Sequence, residues 1–205
     1  MTWPFDPLVP LSYEVICADP PWRFRTWSEH NQKKSASRHY KLMTTAAIMA
    51  LPVGELAQKD CLLLLWTTGW AIATCQAQDV ARAWGFKPVS EMVWDKRTAS
   101  GKRRMGPGYW ARTMHEPILI CSIGKPRKFS AFPSSFDGLA REHSRKPDEF
   151  YDLVIKHTAG LRRADLFSRE ARPGFDGWGD EHGKFECDPP AQSHYGIPAQ
   201  AEASP

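Results

Sequence analysis

The chain lacks most of the features that would classify it early. Its five cysteines (17, 61, 75, 121 and 187) form no C-x-x-C pair. An odd, dispersed set argues against a disulfide framework or a zinc ribbon and for reduced thiols. The seven histidines make no H-x-x-x-H or H-E-x-x-H pattern, so no metal site is expected from them. The longest apolar run, CLLLLW over 61–66, is strand-sized, far short of the ~20 residues that span a bilayer. The opening MTWPFDPLVP has no basic stretch leading into an apolar core, so no signal peptide is read there. These absences point to a cytoplasmic protein with no membrane partner. There is also no G-x-G-x-x-G, the usual mark of a phosphate-cradling turn.

What is present is an ordinary globular composition, 42% hydrophobic and 24% charged, with nine tryptophans and a net charge of +4 in 205 residues. That length suits one domain, read as residues 1–185. The remaining stretch, 186–205, has four prolines and no Lys or Arg, and is expected to be a disordered tail. Charge is unevenly placed. Residues 96–113, KRTASGKRRMGPGYWART, hold six basic residues, no acid and two aromatics. The glycines at 101, 106 and 108 make this segment read as a mobile loop. A second basic stretch covers 23–41. Two basic, aromatic-bearing loops fit phosphate contact combined with base stacking. Lys102, Arg103, Arg104, Tyr109 and Trp110 in one, with Tyr40 in the other, are therefore candidate nucleic-acid contacts.

Periodicity predicts alternating elements. YEVICA (13–18), CLLLLWT (61–67), KPVSEMVWDK, EPILICSIG and RRADLFS (162–168) read as strands. Helices are predicted over 44–50, over 70–84 ending at Gly85, and over 146–157, with Pro147 at the first position and acids at the positive end. Strand–helix alternation implies an α/β fold, a mostly parallel twisted sheet with helices on both faces. Such sheets bind ligands beyond the carboxyl ends of their strands.

Asp19-Pro20-Pro21-Trp22 stands at one such end. Each proline fixes its own φ and holds the residue before it extended. The result is a stiff acceptor array, the Asp19 carboxylate and the Pro20 carbonyl, with a flat indole beside it. Two acceptors and a ring suit a planar group that carries an amine, such as a nucleobase.

This motif resembles the catalytic motif of the amino-methyltransferases related to the catalytic subunit of the mRNA adenosine methyltransferase. The likeness extends over most of 13–181, through DPPWRFRTW, LLLLWTTGWAIATCQAQDVARAWGFKPVSEMVWDK, SRKPDEFYDLV and ADLFSRE…GWGDE. It is that of a minimal bacterial or phage member. The resemblance implies a Rossmann-like methyltransferase fold in which the catalytic motif precedes the cofactor strand. It also implies S-adenosyl-L-methionine as cofactor and the N6 amine of adenine as acceptor, in DNA. Asp19, Pro20, Pro21 and Trp22 would be catalytic. Lys146 would reach the cofactor's carboxylate, Arg169, Asp180 and Glu181 its ribose, and Ala18 would line its site. Ala171 and Arg172 stand where the mRNA enzyme has polar ribose contacts, and acids stand where it has amides.

Hydrogen bonds from the adenine amine to Asp19 and Pro20 would free the nitrogen lone pair, which the ring otherwise delocalises. The amine becomes acidic once methylated, so no strong base is needed. Other readings are the same reaction on RNA, or a catalytically silent nucleic-acid-binding partner subunit; a homo- or heterodimer is compatible with each. Silent subunits of this family lose the catalytic aspartate, which this chain keeps. Cytosine enzymes usually carry serine there.

Overall fold

The computed structural model describes residues 3–23, 42–108, 110–127, 130–141 and 145–185. Tyr40, Tyr109, most of the 23–41 stretch and the 186–205 segment lie outside the described residues. Seven strands form one sheet: β1 (Tyr13–Ala18), β2 (Ala57–Trp66), β3 (Lys87–Arg97), β4 (His115–Ile123), β5 (Ser135–Leu139), β6 (Arg163–Leu166) and β7 (Asp176–Trp178). Their order is β5-β3-β4-β2-β1-β6-β7. Only β4 runs against the others, pairing antiparallel with β2 and β3. The remaining pairs are parallel. The expected mostly parallel α/β sheet is thus present.

Both faces are covered. Along β2, Leu63 and Leu65 enter one core and Leu64 and Trp66 the other, so its apolar run is buried on both sides. The first face is packed by α1 (Thr45–Met49), α2 (Gly69–Ala73) and α3 (Gln76–Ala83). The second is packed by α4 (Asp148–His157) through Phe150, Tyr151 and Val154.

Three expectations change. The helix read over 70–84 is two, broken at Cys75, whose φ is +59°. Thr74 Oγ1 donates to the Trp70 carbonyl at 2.9 Å, a local bond that competes with helical continuation. Pro147 is the N-cap of α4 and not its first residue. The edge strands β5 and β7 escaped the periodicity because each is short and contains glycine. At Gly138 in β5 that glycine is required. A Cβ there would lie 2.7 Å from Trp94 Nε1 and 2.8 Å from Pro147 Cβ. Trp94 Nε1 instead donates to the Gly138 carbonyl at 2.9 Å, and the start of α4 is seated against the sheet.

The described residues of the basic segment 96–113 form a hydrogen-bonded ribbon. It continues the β3–β4 hairpin past the sheet through Arg104 N to Lys96 O (2.8 Å), Thr98 N to Lys102 O (2.8 Å) and Gly106 N to Thr113 O (2.6 Å).

Leu64, fully buried on the central strand, tests this packing. Leu64→Ala should lower stability by about 2–5 kcal/mol, read as a lower urea midpoint with an unchanged slope.

Candidate active site

The carboxyl end of β1 lies between the corresponding ends of β2 and β6. Asp19 N–H donates to the Leu166 carbonyl at 3.2 Å, tying the motif to the end of β6. The two prolines then turn the chain tightly: Trp22 N–H reaches the Pro20 carbonyl at 2.8 Å, and Met43 N–H the Pro21 carbonyl at 2.9 Å. A carbonyl oxygen has two lone pairs, so Pro20 keeps one acceptor site.

Trp22 corrects one expectation. It is 5% exposed within the core, and its Nε1 donates to the Trp66 carbonyl at 2.9 Å. The indole is a strut joining the motif to the end of β2 and not an open stacking surface. Physically this follows from its apolar area, which the core buries more favourably than a crevice would.

A line of alternating charge crosses the strand ends. Lys146 Nζ is 2.8 Å from Asp19 Oδ2 and 3.3 Å from Glu116 Oε2, and Lys96 Nζ pairs with the other Glu116 oxygen. Lys146 Nζ also stands 4.8 Å over the Trp66 ring, a cation–π contact. Glu116 comes from the start of β4, which the antiparallel direction of that strand delivers to this edge. Burial raises the Asp19 carboxyl above its ordinary range, while Lys146 pulls it back. At Glu116 burial also acts upward, but Lys146 and Lys96 outweigh it and hold the carboxyl at about 2. Beside this line, Trp66 Nε1 and Thr67 Oγ1 are buried without a hydrogen-bond partner among the described residues.

Asp19 and Lys146 open into a cleft lined also by Arg145, Tyr151, Asp165, Phe167 and Arg169. Phe167 has φ +62°, an uncommon conformation for a bulky side chain and one typical of functional turns. Burial pushes the Asp165 carboxyl up to about 7, against the pull of the Tyr151 hydroxyl, Arg172 and Ser168. Tyr151 Oη donates to Asp165 at 3.0 Å. Behind them Arg145 grips Glu170 through two bonds of 3.0 Å. Arg172 joins Glu170 and Asp148 at 2.7 Å each.

The expected site residues divide. Ala18, Asp19, Pro20, Pro21, Lys146 and Arg169 come together at this edge. Glu181 is held by Arg169 at 2.7 Å and by Lys184, outside the cleft lining. Asp180 is exposed and also outside it. Arg104 Nη1 donates to the Ala140 carbonyl at 3.0 Å and so braces the ribbon, whereas Lys102 and Arg103 are exposed. Glu116, Asp165 and the Arg145–Glu170–Arg172 cluster were not anticipated. The position of Glu116 as the first residue of the predicted strand EPILICSIG was the available signal, but the direction of that strand was not legible.

Comparison with known proteins now bears on this geometry. The MT-A70 family model matches residues 13–181, from the first residue of β1 to Glu181. The chain belongs to the MT-A70 family. It is accordingly a methyltransferase of adenine, as its resemblance implied. It is 28% identical to the Type II methyltransferase M.MunI of a Mycoplasma species, over 86% of this chain and 81% of that protein. It is 28% identical to the human N(6)-adenosine-methyltransferase catalytic subunit METTL3, over 77% of this chain but 26% of that protein. With the N6-methyladenosine RNA methyltransferase MTA1 of Cryphonectria parasitica it shares 27% identity over 85% of this chain and 53% of that protein. The chain thus spans most of the first relative and about a quarter of METTL3.

Two tests follow. Lys146→Met removes the cation that pulls the Asp19 carboxyl down. The acidic limb of the kcat/KM profile for methyl transfer should then move to higher pH, and an unmoved limb would separate Lys146 from Asp19. Asp165 keeps its proton in the fold to about pH 7, whereas an unfolded chain releases it near 4. The unfolded state binds fewer protons between these values, so this group makes stability fall as pH rises from about 4 to about 7. Relative to the parent, Asp165→Asn should therefore show a Tm difference more favourable at pH 8 than at pH 5. A difference independent of pH would contradict it.

Proposed function

We propose that this protein transfers the methyl group of S-adenosylmethionine to the exocyclic N6 amine of adenine in DNA. The observation that carries the reading is Asp19. Its carboxylate is rigidly presented at the end of β1, paired with Lys146 and opening into a charged cleft. The donor set there fits the cofactor. Asp165 suits a bound ammonium group, Lys146 and Arg169 a carboxylate, and Leu166 and Phe167 apolar atoms. Bound there, the cofactor would supply an electrophilic methyl.

The protein's part is then position and electrostatics. The Asp19 carboxylate and the free lone pair of the Pro20 carbonyl accept the two amine hydrogens and draw the nitrogen toward a tetrahedral shape. Lys146 favours the ionised form of Asp19, and Glu116 fixes Lys146. After transfer the methylated nitrogen is cationic and therefore acidic, and Asp19 or solvent takes one of its protons to leave the neutral secondary amine. Trp22 holds the turn that carries both acceptors.

DNA is favoured as substrate because the relative matched over most of its length is the Type II methyltransferase. The relatives named for adenosine or RNA are matched over about half their length or less. Exposed Lys102 and Arg103 suit phosphate contact. A cytoplasmic site of action accords with that substrate, and no helix among the described residues is long and apolar enough to cross a membrane.

Asp19→Asn keeps the size and one acceptor but not the charge. It should lower methyl transfer on the order of a hundredfold or more, with thermal unfolding little changed. Wild-type turnover in this variant would remove Asp19 from the mechanism. Mapping N6-methyladenine in plasmid DNA beside transcribed RNA tests the substrate: marks confined to RNA would replace DNA with RNA.

A further inference from the structure

We infer that Trp110 occupies the gap left in a DNA duplex when the target adenine swings out toward Asp19. The inference rests on the reading of DNA as substrate. An adenine inside a duplex is stacked on both faces, and the Asp19 carboxylate stands in a crevice between strand ends. The base must leave the stack to reach it, at a cost of a few kcal/mol. A flat side chain that restacks the vacated position offsets that cost. Trp22 cannot serve, because the core buries it.

The ribbon between β3 and β4 supplies the required group on the required edge. β3 runs parallel to β5 and antiparallel to β4, which is antiparallel to β2. The ribbon therefore leaves the sheet at the same edge where β1 ends in Asp19. Its base is part of the site, since Glu116 pairs with Lys146. Trp110 lies six residues before Glu116. An extended chain of that length reaches at most about 20 Å, more than the roughly 12 Å width of the DNA major groove.

The tip is built in advance. Gly106 N–H donates to the Thr113 carbonyl at 2.6 Å, and Thr113 N–H and Oγ1 return to the Pro107 carbonyl at 3.1 and 2.9 Å. Arg112 Nε closes on the Gly106 carbonyl at 3.1 Å. At Gly108 a Cβ would lie 1.9 Å from the Ala111 carbonyl oxygen, so only glycine allows this turn. Across the closed tip Trp110 is 93% exposed, flanked by exposed Met105, Arg103 and Arg112. Exposing a tryptophan this fully costs burial energy that a ring laid between base pairs would recover. Neighbouring Lys102 and Arg103 carry the charge that duplex phosphates attract. An apolar protein partner would not call for those cations, and this favours nucleic acid as the occupant. Arg104, tied to the Ala140 carbonyl, keeps the ribbon upright and so shortens the ordering needed on binding.

The test compares wild type, Trp110→Ala and Trp110→Phe on three DNA substrates of one sequence. These are a paired duplex, a duplex with an abasic position opposite the target adenine, and the single strand. A base–aromatic stack is worth about 1–3 kcal/mol. The ratio of duplex to single-strand kcat/KM should therefore fall roughly ten- to hundredfold in Trp110→Ala. It should recover largely in Trp110→Phe and fall least on the abasic duplex. With 2-aminopurine at the target position, the enzyme-induced fluorescence rise should be lost in the alanine variant alone. An equal loss on all three substrates, or none, overturns the inference. So does conversion of a dimer to a monomer by Trp110→Ala in light scattering, which would make the tip a subunit contact. Wild-type enzyme inactive on every DNA but active on RNA would defeat the DNA reading itself, and is distinguished before any variant is measured.

Discussion

Everything at the working edge of this protein depends on one cation held between two carboxylates. Asp19 and Glu116 come from strands separated by β2 and face each other across its end. Two carboxylates taken out of water at that spacing would repel, and one would take up a proton. Lys146 opposes this by lying within hydrogen-bond reach of both, over the Trp66 ring. The consequence reaches into the proposed chemistry, in which Asp19 accepts from the adenine amine, because a protonated carboxyl would donate there instead.

Holding a lysine there is itself a packing problem. Lys146 stands two residues before α4 begins, and the start of α4 is set by Pro147 lying against Gly138 of β5. The same glycine carbonyl takes Trp94 Nε1, and Trp94 packs edge-on against Trp66 beneath the lysine. A short edge strand thus fixes the position of a charge several strands away. On the cleft side, Arg145, Arg172 and Arg141 converge on Glu170 and Asp148. Buried pairs of this kind contribute little net stability compared with apolar packing, and breaking one is costly. Their effect is to hold the cleft wall in a single arrangement.

The aromatic residues divide along the same lines. Trp22, Trp66 and Trp94 are buried and act as struts, while Trp110 projects from the ribbon. Sequence patterning cannot separate these roles, because a tryptophan is equally flat in either place. Burial decides, and burial is set by what packs around it.

Local constraints made part of this protein readable in one dimension. A both-face-buried strand needs an unbroken apolar run, which marked β1, β2 and β4. Two consecutive prolines fix their own φ and hold the residue before them extended, which marked the Asp19 turn. Acids at one helix end and glycine beyond the other marked α4 within two residues. The family, and with it the reaction, was legible for the same reason, since the motif's chemistry is contained in four adjacent residues. What only the tertiary structure decided involves partners distant in sequence. Glu116 lies ninety-seven positions from Asp19, and meets it only because β4 reverses direction. Gly138 reads as a strand breaker until Trp94 and Pro147 are seen against it, and Asp165 reads as one acid in a strand until burial sets its carboxyl near 7. Side-chain charge, direction of pairing and depth of burial are properties of neighbours, and neighbours in space are what a linear sequence does not state.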